Sequence, residues 1–166
     1  MTPIDVRNAV IPGLHAFTGR CVVLSDQTVP EGDYPHIYYQ YISPHTRVGG
    51  ENATVAAGQL TSRWMAEATI SISACGIDRE DGDTQVYGDD DALQLCMLAH
   101  QWFYRAGRDY LQAHGIAVVD LSNSQNRTAV EVDQVVRRYG FDVRLRYEVD
   151  ATYPMPSIEG GTIINL

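Results

Sequence analysis

Two segments of this chain alternate apolar and polar residues with a period of two, and that pattern constrains the fold more than any other. Over residues 64–74, Ala66, Ala68, Ile70, Ile72 and Ala74 alternate with Glu67, Thr69, Ser71 and Ser73. Over residues 141–149, Phe141, Val143, Leu145, Tyr147 and Val149 alternate with Asp142, Arg144, Arg146 and Glu148. Successive side chains of a strand point to opposite faces, so each segment reads as a strand covered on one face. Such strands need a sheet with one apolar face and other elements to bury it.

Helical segments supply that cover. Residues 90–114 form the clearest helix: Ala92, Leu95, Cys96, Ala99, Trp102, Phe103, Ala106 and Tyr110 make a wide apolar face. Gln94, Gln101, Arg105, Arg108 and Gln112 lie opposite, and Gly115 ends the helix. A first helix starts at Thr2 and Pro3, lines Val6, Val10 and Leu14 on one face, meets strain at Pro12 and closes at Gly19. Val132, Val135, Val136 and Tyr139 repeat at helical spacing and predict a short third helix before Gly140. Further strands are expected at 21–24, 36–42, 116–119 (an apolar run read as buried on both faces) and 162–165, with a turn-rich stretch around Pro30, Gly32 and Asp33. Residues 43–59 carry little pattern. The expected architecture is one α+β domain spanning residues 1–166: a mixed, mostly antiparallel sheet with one long helix and one or two shorter ones packed on it. The 166 residues suit a single core.

The charge balance narrows function. A net charge of -9 repels phosphate, the opposite of what a nucleic-acid binder needs. All twelve basic residues are arginine, which excludes Schiff-base lysine chemistry and a phosphate-loop lysine. No apolar run is long enough for a membrane span, and the first twenty residues do not read as a secretion signal, so the chain is expected to stay in the cytosol where it is made.

Catalytic signatures are missing from the sequence: it has no G-x-S-x-G, H-E-x-x-H or G-x-G-x-x-G. His36 and His45 flank a strand but belong to no metal-ligand spacing. Cys21, Cys75 and Cys96 stand far apart among apolar neighbours and read as buried thiols. Seven acidic residues, Asp78, Glu80, Asp81, Asp83, Asp89, Asp90 and Asp91, crowd residues 78–91, punctuated by glycine. They read as a solvated loop whose last aspartates favour a helix start, and they lack the spacing of a calcium loop. No catalytic residue, cofactor or metal site is expected.

The order of several segments carries a resemblance. Tyr34-Pro35-His36-Ile37-Tyr38-Tyr39-Gln40-Tyr41 comes first, then the strand from Ala68 to Gly76, an Asp-rich loop and a long helix ending in Leu111-Gln112-Ala113-His114-Gly115. Asn126-Arg127-Thr128 and Arg138-Tyr139-Gly140-Phe141-Asp142-Val143 come after them and are the most specific. In this order, over residues 34–147, the chain resembles the neck or tail-terminator proteins of long-tailed phages and prophages. It departs from them in a longer acidic loop and in residues 43–59.

The resemblance implies a structural virion protein of the tail and neck, made in the host cytoplasm, with no catalytic residues. It implies a ring, hexameric in form, that caps the finished tail tube and meets the head connector or stopper. The partners implied are further copies of the chain, the tail tube protein and that connector, with DNA passing through unbound and no membrane. Arg144 and Arg146 on the polar face of one strand, and Asp78, Glu80, Asp81 and Asp83 in the acidic loop, are the candidate assembly interface between neighbouring subunits. The alternatives are another phage assembly adaptor or chaperone, or a small enzyme.

Overall fold

A computed structural model describes residues 1–25, 27, 34–130 and 135–155. The chain opens with helix α1 (Pro3–Thr18) and the short strand β1 (Val22–Leu24). Two long strands come next, β2 (His36–Ala56) and β3 (Gln59–Gly76), then a small hairpin of β4 (Arg79–Asp81) and β5 (Thr84–Val86). Helix α2 (Gly88–Gln101) runs through a π-helical turn (Trp102–Ala106) into helix α3 (Arg108–Ala113). Strand β6 (Ile116–Leu121), the short β7 (Gln125–Asn126) and β8 (Ala129–Val130), and the long β9 (Val135–Pro154) complete the described chain.

The main sheet runs β1-β2-β3-β9-β6, with β7 and β8 also paired to β9. Among the described residues only β1 and β2 are parallel; the other pairs are antiparallel. This is the α+β architecture expected. The two alternating segments are neighbours at its centre, with Ile70 opposite Val143 and Ile72 opposite Phe141. Their apolar residues share one face, and the helices bury it. Ala66, Ala68, Ile70, Ile72, Phe141, Val143, Leu145 and Tyr147 are all essentially inaccessible and share one core with Val6, Val10 and Leu14 of α1 and Phe103 of the π-helical turn.

Helix α1 begins as its sequence predicts. The Thr2 hydroxyl accepts from the Asp5 amide, and the Asp5 carboxylate accepts from the Thr2 amide, a reciprocal cap that holds the Asp5 carboxyl below its ordinary range. Pro12 does not end the helix, because it lies on the exposed side, where solvent reaches the backbone it disturbs. Gly13 is buried instead: a Cβ there would lie 2.5 Å from the Tyr110 ring and 2.8 Å from Trp102, so the missing side chain lets α1 close on the α2–α3 unit.

Several expectations are corrected. The helix predicted from Val135, Val136 and Tyr139 is strand β9, because pairing with β3 as far as Arg137 and with β8 at Val135 and Val136 overrides the local spacing; Val132 lies outside the described residues, as do Pro30, Gly32, Asp33 and the strand expected at 162–165. The acidic stretch is a hairpin leading into the first turn of α2 and not a plain loop. The π-helical turn inserts extra residues into the long helix and rotates its C-terminal end, so Ala106 turns outward while Leu111 is buried and Tyr110 packs on α1, its hydroxyl donating to the Ala9 carbonyl at 3.1 Å. Strand β6 is a sheet edge; Ile116 is buried, but Ala117, Val119 and Asp120 are exposed.

Candidate assembly interface

The helix-free face of the sheet carries an ordered set of polar contacts. Glu67 of β3 lies opposite Arg146 of β9 and accepts from both its Nε and Nη2 at 3.0 and 2.6 Å. Arg144 sits nearby, 3.7 Å from the other Glu67 oxygen and 3.4 Å from Asp120 on β6. Glu67 is only 12% exposed, so its charge leans on these arginines. Arg144 is looser, at 46% exposed with both contacts long. Both arginines singled out in the sequence therefore have carboxylate partners in their own subunit.

A second cluster explains the most specific motif segments. The Arg127 guanidinium donates to Ser71 Oγ at 2.5 Å and to Asp142 Oδ1 at 2.9 Å. Thr128 Oγ1 accepts from the Arg138 amide at 3.1 Å, and Asn126 Oδ1 accepts from the Thr128 amide at 2.9 Å. Asn126-Arg127-Thr128 is thus tied by its side chains to β3 and to the strand that carries Phe141-Asp142-Val143. The sequence shows both segments but not that Arg127 reaches Asp142, which requires the tertiary pairing.

The acidic hairpin divides in two. Asp78 is taken up locally: its Oδ1 accepts from the Gly88 amide at 2.8 Å, satisfying a donor at the start of α2. Arg79 pairs with Asp91 at 2.6 Å and ties the hairpin base to that helix. Glu80, Asp81 and Asp83 are exposed and, among the described residues, make no ion pair. The hairpin presents them at the end of the sheet where β3 finishes.

The opposite end of the sheet holds what the sequence did not indicate. Beyond Ala66, the last row of the buried apolar core, β2, β3 and β9 run on as a three-stranded arm to the turn at Ala57 and Gly58. Both turn residues have positive φ (51° and 72°), as a tight two-residue hairpin turn needs. β2 is irregular on the way, with register shifts between Tyr41 and Ser43, Ser43 and Thr46, and Val48 and Glu51; Gly49, at φ 77°, lies within the last. Such bulges discourage open-ended pairing at an edge. Within the arm, Glu51 binds Arg47 at 2.8 Å and the Arg47 guanidinium lies 5.6 Å from the Trp64 ring centre. Hydrogen bonds from Ser62 and Arg47 hold the Glu51 carboxyl below its ordinary range.

The two histidines considered for chemistry occupy structural settings. His36 is buried between the rings of Tyr34 and Tyr38, at 4.7 and 4.5 Å. The His45 ring lies 3.0 Å from the Tyr147 hydroxyl, under the base of the arm. Among the described residues no three His, Cys, Asp or Glu side chains converge as a metal ion would need, and no helix is long and apolar enough to cross a membrane.

A protein-family model for the phage neck terminator protein matches residues 8–166. The chain belongs to the phage neck terminator family. Its role is therefore structural, in the tail and neck of a phage, and it works with other tail and head proteins. The match spans the long arm as well as the Arg127 and Asp142 segments, so the residues that resembled nothing in the sequence, 43–59, lie inside the family's domain. A comparison with curated proteins matches none.

Proposed function

We propose that this neck terminator assembles as a ring of identical subunits, hexameric in form, which closes the end of a finished tail tube and presents a surface to the head connector. The observation that carries the reading is the extent of sheet without helical cover: strands of 21, 18 and 20 residues exceed the usual three to ten, and their outer parts find no second layer among the described residues. Sheet that one chain leaves uncovered is suited to contact with other chains. In this reading the exposed hairpin acids Glu80, Asp81 and Asp83 face a neighbouring subunit. Arg144, held only by long contacts, shares its free donors with them, while Asp78 and Arg146 set the geometry of the two sides. The net charge of -9 and the absence of lysine keep DNA from adhering as it passes through the ring.

The test uses purified tail tubes imaged by electron microscopy after mixing with the protein. Wild type is expected to cap tube ends and stop their growth. Glu80→Arg/Asp83→Arg, which changes only exposed side chains, is expected to cap poorly, and the defect should be eased at high salt, where charge repulsion is screened. Wild-type protein that never binds a tube end would overturn the function. Full capping by the reversed-charge variant would remove the hairpin from the interface.

A further inference from the structure

The outer side of the α2–α3 unit carries an apolar stripe. Leu93, Met97 and Tyr104 are exposed at spacings of four and seven residues, so they line up along the helix opposite the buried Ala92, Leu95, Cys96 and Ala99. Met97 is 52% exposed and Tyr104 65%. Methionine and tyrosine are residue types favoured where proteins meet.

Charges of opposite sign mark the two ends of this stripe. Asp90 stands at its N-terminal end, and Arg105 and Arg108 at its C-terminal end. All three are exposed and make no ion pair among the described residues. The acids beside Asp90 are already engaged: Asp89 accepts from the Tyr139 hydroxyl at 3.1 Å, and Asp91 binds Arg79 at 2.6 Å. The order of residues is symmetric about Ala99. Asp90 and Arg108 lie nine residues to either side of it, Gln94 and Tyr104 five, and Met97 and Gln101 two. A second copy of the helix laid antiparallel, with a two-fold axis level with Ala99, therefore sets acid against arginine at both ends. The two ion pairs would stand about 27 Å apart with the apolar stripe between them. A crossing angle of about 20° keeps both ends within an arginine's reach.

We infer that Leu93, Met97 and Tyr104 dock on the same stripe of a second copy of this chain, the two helices antiparallel, with Asp90 of each copy paired to Arg108 of the other. Charge and symmetry select that occupant: a parallel copy would set acid on acid and arginine on arginine. The contact uses one surface twice, so it joins two copies and stops, and it does not rest on the ring reading. One helix face per copy makes a small interface, below about 1,200 Å² in all, so the pair forms at high protein concentration and parts on dilution.

The test is sedimentation of the full chain from micromolar to millimolar concentration, with thermal melting to show that each variant is folded. Wild type is expected to pass from monomer to dimer. Met97→Asp, at an exposed position, should weaken that step by about tenfold or more. Asp90→Arg alone and Arg108→Asp alone should each weaken it, because their homodimers face like charges at both ends. Mixing these two variants should restore wild-type strength, since every facing pair is then of opposite sign, and so should combining both changes in one chain. Wild type that stays monomeric throughout, a dimer that Met97→Asp leaves intact, or a mixture no stronger than its components overturns the inference. Tube imaging tests the rival occupant. Met97→Asp is expected to cap tube ends as wild type does; loss of capping, with no dimer in wild type, would give the stripe to a tube or connector subunit instead.

Discussion

Replacing Gly76 by alanine puts a methyl group where two backbones already touch. A Cβ on Gly76 would lie 2.2 Å from the carbonyl oxygen of Gly88 and 3.2 Å from the Ala92 amide nitrogen; a Cβ on Gly88 would lie 2.4–2.6 Å from the backbone of Ile77. Ordinary contact begins near 3.4 Å, so the shortfall exceeds an ångström, and no rotatable side chain is there to give way. The first turn of α2 would have to leave the end of β3. That movement strains the Asp78–Gly88 hydrogen bond and loosens Ala92, which is inaccessible in the core. Overpacking costs about 1–3 kcal/mol and the strained bond about 1 more, so Gly76→Ala is expected to lose about 2–4 kcal/mol. For a domain of this size that is a fall in Tm of about 5–12 °C. Calorimetry or chemical unfolding measures it, with Gly50→Ala as the control, because nothing lies within 4 Å of a Cβ there. Gly76→Ala melting with the control, within a degree of wild type, would refute the close approach of β3 and α2.

Three named contacts give further expected outcomes. Asp78→Ala removes the acceptor for the Gly88 amide and should cost about 1 kcal/mol in denaturant unfolding, with the loss reduced in Asp78→Asn, which keeps an acceptor oxygen. Arg127→Ala leaves Ser71 and Asp142 without their donor; because both ionic partners are partly exposed, the expected cost is about 1 kcal/mol, and a double-mutant cycle with Asp142→Asn should show coupling. Tyr41, whose hydroxyl donates to the Pro3 carbonyl, is pushed up to about 12 by burial and by the neighbouring Tyr147. Its folded form holds the proton more tightly than the unfolded chain does. The stability it contributes is therefore complete below pH 10 and is lost as pH rises from about 10 to 12. Unfolding measured across that window should show a shallower decline in Tyr41→Phe; an unchanged slope would argue against a buried phenol, though Tyr147, also raised by burial, keeps the slope from vanishing.

What the sequence determined by itself is the part of the fold governed by local period and local caps. The alternation at Ala66 to Ala74 and Phe141 to Val149 specified two strands and which side of each is buried, because a strand repeats every two residues whatever surrounds it. Thr2, Pro3 and Gly19 marked α1 through chemistry that acts within a few residues. The absence of catalytic and metal spacings, and the order of motif segments that matched the neck terminators, also stood in the sequence. Tertiary structure decided what depends on distant partners. Val135 to Tyr139 have helical spacing yet became strand, since β8 pairs with Val135 and Val136 and β3 with Arg137 to Tyr139. Arg144 and Arg146 read as free cations until the pairing of β3 with β9 set Glu67 between them. The arm was illegible for the same reason. Residues 43–59 have no clean period, because bulges shift their register, and their order comes from pairing with β3 along its outer length.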